Sequence, residues 1–302
     1  MNALAPIVPE EPSVAVVVAS LGRPELVGQM KALMEIQTRR PDMLLFSLVS
    51  EADWPEGLEQ TERLQMVMGK KGLCAQRNSA LERLGDRYDI IVFYDDDFVP
   101  SRFSIERIRE FFSLYPEVAG ATGNVIKDGI NSAGITFEQA QAILRQHEER
   151  NFSPPYIVMG LHGLYGCNMA YRAAAIGTTR FDERLKLYAW QEDIDFAASV
   201  GKRGRIVKTF AFAGVHQGVK IGRTPGKRLG YSQIINPSYL VRKGTMRRTF
   251  AARLMVRNFL ANHIKLVRPE PWADRLGRAR GNWIGIFDLL RGRLTPERIE
   301  SL

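Results

Sequence analysis

The chain is short of several things that would direct a reading elsewhere. It has two cysteines, Cys74 and Cys167, far apart and without metal-ligand spacing. That excludes a disulfide framework or a cysteine-ligated zinc cluster and fits a reducing compartment. No apolar run approaches the roughly 20 residues that cross a bilayer. The stretch Met1 to Pro12 lacks both the basic start and the apolar core of a secretory signal. No internal repeat or low-complexity segment is present, so repeat architectures and compositionally biased linkers are excluded. The expectation is a soluble, cytoplasmic protein. At 302 residues, 45% apolar and 25% charged, the chain can bury a full core, in one large domain or a domain plus an appendage.

Charge is unevenly placed. Residues 236–302 carry 14 Lys/Arg against 5 Asp/Glu, an excess equal to the +9 of the whole chain, so residues 1–235 are neutral. This divides the chain at 235/236 into a neutral body and a basic C-terminal extension. A basic tail on a neutral body suits an anionic surface.

Along the body, strand and helix signals alternate. Val14–Val18 is a continuous apolar run, the pattern of a strand covered on both faces. Pro24 opens a helix to about Gln37. Strands are expected at Asp42–Val49, Leu64–Met68, Ile90–Tyr94, Val118–Thr122, Gly166–Tyr171 and Arg205–Phe212. Helices are expected at Cys74–Leu84, Phe103–Tyr115 and Phe137–Arg150. Repeated βα units predict an α/β fold with a Rossmann-like, mostly parallel twisted sheet and ligands at the strands' carboxyl ends. Residues 124–160, with Gly123, Gly129, Gly134 and Ser153-Pro154-Pro155 around a helix, interrupt the rhythm like an excursion that shapes a site. After Pro237 the pattern turns helical and basic. An apolar stripe of Phe250, Leu254, Val256, Phe259, Leu260, Ile264 and Val267 runs among Arg247, Arg248, Arg253, Arg257, Lys265 and Arg268.

The chemistry-bearing stretch is Phe93-Tyr94-Asp95-Asp96-Asp97, three adjacent carboxylates directly after a buried strand. Such mutual repulsion is tolerated where a hard cation such as Mg²⁺ or Mn²⁺ is held. A solvated acidic turn is the plain alternative. Glu192-Asp193 opens a short helix stopped at Gly201, where the helix dipole keeps a carboxylate ionised, as a general base requires. Helix capping is the plain alternative there.

Five segments, in order, make the chain resemble a family 2 glycosyltransferase of the GT-A fold. They are Val16-Val17-Val18-Ala19-Ser20-Leu21-Gly22-Arg23-Pro24, Gly72-Leu73-Cys74-Ala75-Gln76-Arg77-Asn78, Phe93 through Pro100 with its DXD, Phe181-Asp182-Glu183 followed by Trp190-Gln191-Glu192-Asp193-Ile194-Asp195, and Val215-His216. The resemblance spans residues 14–216 and implies an inverting enzyme that takes one sugar from a nucleotide-diphosphate donor of UDP or GDP type. It implies Asp97 as a metal ligand, Asp95 on the donor ribose or the ion, and His216 as a third ligand or phosphate contact. It implies Asp193 as the base beside Glu192, with Ser20, Arg23, Arg77 and Asp96 around the donor. Glu51 or Asp53 would read the nucleotide base, Glu51 being favoured, although Ser50-Glu51-Ala52-Asp53 is looser than the family's acidic cluster. Strand alternation turns Asp96 away from its neighbours. Asn168 and the glycines of residues 160–168 would line the sugar pocket.

The Gln-x-x-Arg-Trp motif of processive synthases is not in the sequence, which implies single-sugar transfer. The acceptor expected is a glycan or lipid-linked glycan, with peripheral contact of the basic extension at the anionic inner face of the plasma membrane. Two rivals stand beside this reading. A sugar nucleotidyltransferase also uses paired aspartates on such a sheet, but Ser20-Leu21-Gly22-Arg23-Pro24 is a poor version of its Gly-rich loop. A nucleic-acid-binding protein would exploit a pI near 9.7, yet the neutral body and the lack of any reading motif speak against it, and no nucleic acid is expected as partner.

Overall fold

In a computed structural model, residues 11–149, 157–158, 161, 163–220 and 224–302 are described. The apolar run at the start becomes strand β1 (Val14–Ala19) at the centre of the sheet's parallel part. The chain continues as α1 (Pro24–Glu35), β2 (Met43–Leu48), β3 (Leu64–Met68), α2 (Leu73–Leu84), β4 (Ile90–Asp95), β5 (Phe98–Pro100), α3 (Ser104–Leu114) and β6 (Val118–Asp128). Then follow α4 (Phe137–Glu148), β7 (Ile157–Val158), β8 (Asn168–Arg172), α5 (Ala173–Ile176), α6 (Glu192–Val200) and β9 (Arg205–His216). Three helices close it: α7 (Gly226–Lys243), α8 (Arg248–Ile264) and α9 (Arg275–Leu290).

Strand order is β3-β2-β1-β4-β8-β6-β9-β5, with β7 beside β9. The α/β expectation holds, and β3, β2, β1 and β4 are all parallel, as βα crossovers demand. The second half is mixed: β8 runs antiparallel to both β4 and β6, and β5 and β7 run antiparallel to β9. Alternation along β1 sorts the core into two layers. Val14, Val16 and Val18 pack with Val27 and Met30 of α1 and Ile105 and Ile108 of α3. Ala15 and Val17 pack with Leu81 of α2, Phe196 of α6 and Leu240 of α7. A strand buried on both faces can be apolar throughout, which is why β1 lacks polar alternation.

The C-terminal helices are part of this packing. Tyr239, Leu240, Met246, Ala251 and Leu254 all join the second layer. Residues 235 and 236 both lie within α7, which starts at Gly226 and carries Pro237 in its interior. An interior proline costs a helix about 3 kcal/mol, so the expectation that helix begins only after Pro237 reflects local preference. Tertiary packing overrides it: α7 and α9 touch backbone to backbone. A Cβ on Gly230 would lie 2.1 Å from the Arg278 carbonyl oxygen, and one on Gly281 would lie 2.0 Å from that of Lys227. The expected features at Ser153-Pro154-Pro155, Gly160 and His162 lie outside the described residues.

Candidate active site

β4 delivers the acidic trio at the carboxyl end of an interior strand. Asp95 ends the strand; Asp96 and Asp97 form a turn into β5, which pairs with β9 so that Phe98 faces His216. The pairing brings one ligand atom each of Asp95, Asp97 and His216 within 4.8 Å of one another. His216 Nε2 lies 3.3 Å from Asp97 Oδ1, and the Val219 N–H donates to Asp97 Oδ2 at 2.8 Å. Burial raises the Asp97 pKa, but the His216 hydrogen bond and charge and the Val219 N–H outweigh it, and the carboxyl stays below its usual range. His216 Nδ1 lies 2.9 Å from Asp128 Oδ1, whose other oxygen accepts the Tyr165 hydroxyl at 2.7 Å. Burial disfavours the imidazolium, yet Asp128 and Asp97 together lift the His216 pKa to about 10.

These donors fit a hard or borderline divalent cation. Carboxylates serve Mg²⁺ and Mn²⁺ alike, and the imidazole is a softer ligand that Mn²⁺ accepts. The second ring nitrogen of His216 is oriented by Asp128, the outer-sphere carboxylate that metal-binding histidines ordinarily have.

Arg77 joins the two acidic segments. It is buried on α2, and its guanidinium contacts Glu192, donates to Asp95 Oδ1 at 3.1 Å and donates to the Gly166 carbonyl at 3.0 Å. The rings of Phe93 and Phe181 lie 5.7 and 5.3 Å from its central carbon. Burial raises the Asp95 pKa against the pull of Arg77. Burial, then the neighbouring charge of Asp193, pushes Glu192 well above the carboxylate range despite Arg77. One Glu192 oxygen, Oε2, is buried without a hydrogen-bond partner. The adjacent Asn78 accepts from the Phe181 N–H at 2.8 Å and donates to Glu183, so the Arg-Asn pair pins both later segments to α2.

Asp193 sits in the first turn of α6, as the sequence predicts. Its two oxygens accept from the Gly166 N–H at 3.0 Å and its neighbour Ile194's N–H at 2.8 Å. Burial raises its pKa, and these two backbone donors oppose the rise. The approach to α6 is strained: Leu187, Ala189 and Gln191 all have positive φ (58°, 53° and 78°) without being glycine. Outside contacts hold it there. Leu73 N–H donates to the Leu187 carbonyl at 2.9 Å, and the Asn236 side chain of α7 donates to that of Trp190 at 2.8 Å.

The remaining predicted residues separate into two groups. Asp96 is buried away from Asp95 and Asp97; it accepts the Ser20 hydroxyl at 2.6 Å and pairs with Arg23 at 3.0 Å. Ser20, Arg23 and Asp96 thus lock the β1 turn against the acidic turn. Asp53 is buried and accepts the Gly22 N–H at 2.6 Å, whereas Glu51 is exposed. Asn168, expected along the sugar pocket, is fully buried in β8, with neither atom of its side-chain amide hydrogen-bonded. Asp128 and Tyr165 were not singled out in the sequence. The one available signal was Asp128's place at a strand end, hidden because the Val118 strand was expected to stop at Thr122.

The sequence matches no protein-family model and no curated protein sequence. Solved structures match over 96% of the chain. They include S. aureus TarS 1-349 in complex with UDP-GlcNAc (TM-score 0.55, 12% identity, 83% of that chain). They also include the mannosyltransferase PcManGT from Pyrobaculum calidifontis in complex with GDP-Man and Mn²⁺ (TM-score 0.53, 15% identity, 85% of that chain). The chain has a GT-A-like fold. Within a GT-A-like sheet the Asp95–Asp97–His216 cluster lies at the carboxyl ends of β4 and β9, where open α/β sheets take their ligands. Among the described residues no helix is long and apolar enough to cross a membrane.

Proposed function

We propose that this protein is a metal-dependent, inverting, non-processive glycosyltransferase. It moves one sugar from a UDP- or GDP-type donor to a hydroxyl of a glycan or lipid-linked glycan. One observation carries the reading: Arg77 bridges Asp95 at the metal-capable cluster and Glu192 beside Asp193, so the two acidic segments meet at one buried guanidinium. The structural neighbours bound to UDP-GlcNAc and to GDP-Man with Mn²⁺ support the donor class.

Asp95, Asp97 and His216 would hold Mn²⁺ or Mg²⁺, which when bound neutralises the diphosphate as the sugar–phosphate bond breaks. Asp193 accepts the proton of the acceptor hydroxyl while that oxygen bonds the anomeric carbon from the face opposite the diphosphate. The nucleoside diphosphate leaves with the bonding pair, and the configuration inverts. A carboxyl whose pKa is raised by burial is better matched to a proton at neutral pH than a solvated one. Arg77 keeps Glu192 and Asp95 in place around the reacting centre. In this reading Glu51 or Asp53 contacts the base, and the protein works in the cytoplasm, its basic C-terminal helices meeting the inner face of the membrane. The nucleotidyltransferase alternative needs a cation in the β1 turn free for phosphate, and Arg23 there is engaged with Asp96.

Thermal shift against UDP, GDP, TDP and CDP with Mn²⁺ identifies the base, because the product nucleotide stabilises the fold it binds. Asp193→Asn is expected to lower transfer about 10²–10⁴-fold while leaving Mn²⁺-dependent nucleotide stabilisation unchanged. Ordinary turnover by that variant excludes Asp193 as the base.

A further inference from the structure

The sequence suggested one apolar stripe along the basic extension; the structure divides it. Leu254 turns into the core and Phe250 packs against it, while Val256, Leu260 and Ile264, spaced four apart on α8, face outward. Leu276, Trp283, Phe287 and Leu290 make a matching outward stripe on α9. The two stripes meet where Trp283 sets its ring edge-on to Phe259, centroids 5.4 Å apart. Exposure on this face is high: 68% at Ile264, 93% at Val267, 56% at Phe287 and 78% at Leu290. Of the eighteen large hydrophobic residues exposed among the described residues, eleven lie between Val256 and Leu290.

Along α8 and α9 themselves the exposed charge has one sign, and the acids Glu270 and Asp274 lie in the connection between them. α8 contains no Asp or Glu, and the single acid of α9, Asp288, is buried. Arg253 and Arg257 on α8 and Arg280 on α9 are exposed beside the apolar stripes. A second copy of this chain would bring arginine against arginine across the contact. An anionic bilayer offers the complement of both parts: acyl chains for the Leu, Ile, Phe and Trp side chains and headgroup charge for the arginines. The α8–α9 connection also reaches the catalytic side. Lys265, Trp272 and Arg275 share a cavity of about 140 Å³ with Ile130 and Asn131, and Ile130 is two residues from Asp128.

We infer that the joint outward face of α8 and α9 is an interfacial docking surface for an anionic lipid bilayer, holding the Asp128 side of the site at the headgroup level. This deepens the reading of a lipid-linked acceptor. The binding test does not require catalysis, so the two ideas fail separately. Full-length protein is sedimented with vesicles of phosphatidylcholine and phosphatidylglycerol, and with vesicles of phosphatidylcholine alone. Expected is binding to the anionic vesicles that weakens as salt is raised, and little binding to the neutral ones. Ile264→Glu with Leu290→Glu, and separately Arg253→Glu with Arg257→Glu, should each lower partitioning about tenfold or more. Both double variants should keep the wild-type thermal unfolding midpoint, which excludes misfolding as the cause and does not depend on nucleotide binding. Equal binding to both vesicle types, no binding to either, or wild-type partitioning by either folded variant overturns the inference. So does lipid-free self-association in sedimentation velocity that Ile264→Glu with Leu290→Glu abolishes, since the face then belongs to a second copy.

Discussion

Arg77, in the sheet half of the chain, and Arg257, on α8, carry the same charge in opposite settings. Arg77 is 1% exposed and touches two carboxylates, a carbonyl and two aromatic rings. Arg257 stands in solvent beside an apolar stripe. The pattern is general. In the sheet half, Asp53, Arg77, Asp96, Asp97, Glu192, Asp195 and His216 are all buried, and the net charge of residues 1–235 is zero. In the C-terminal helices one acid, Asp288, is buried and the arginines spread outward. Buried charge must be matched partner by partner, so it fixes geometry; exposed charge of one sign makes a field with no fixed partner.

Four substitutions sharpen or break that contrast. Arg77→Met leaves the buried Glu192 and the half-buried Asp95 without their cation and should cost about 3–5 kcal/mol, read as a large fall in the denaturant midpoint. A near-neutral result would mean that the pairs do not organise the fold. Within one helix, Leu254→Ala should cost about 2–4 kcal/mol, whereas Ile264→Ala should stay within about 0.5 kcal/mol. Equal costs would contradict the division of α8 into inner and outer faces. A smaller loss than that of Leu254→Ala concerns the tie between halves, where Asp182 accepts from Lys243 at 2.6 Å and from Tyr239 at 2.7 Å. Burial raises the Asp182 pKa, but these donors outweigh it and leave the carboxyl below its ordinary value. A depressed folded value means stability that is present above about pH 4 and lost as pH falls through that folded value. Asp182→Asn should therefore lower the neutral-pH stability by about 1 kcal/mol and flatten the loss that sets in below about pH 4 in thermal melts.

Much of this was legible in sequence because it obeys local rules. The apolar runs of β1, β2 and β4 can only be strands covered on both faces, and the Asp95–Asp97 and Glu192–Asp193 pairs stand out at element ends. What stayed hidden depends on partners distant in sequence. β5 is three residues long and exists through its pairing with β9. α7 runs through Pro237 because α9 packs on it at two glycines. Asp128 has meaning only once His216 lies beside it, and the outward turn of Val256 and Leu260 follows from which side of α8 the core occupies.

The three left-handed residues ahead of α6 have a consequence for truncated forms of this protein. Such conformations cost about 1–2 kcal/mol apiece outside glycine, and the Asn236 amide of α7 is one of the catches that keep them loaded. A chain trimmed before α7 would let the segment from Leu187 to Gln191 uncoil into ordinary backbone, and the carboxylate of Asp193 would swing with it. Inactivity of such a fragment would then report a released spring as readily as a lost surface, and full-length chains bearing point changes are the safer material for telling them apart.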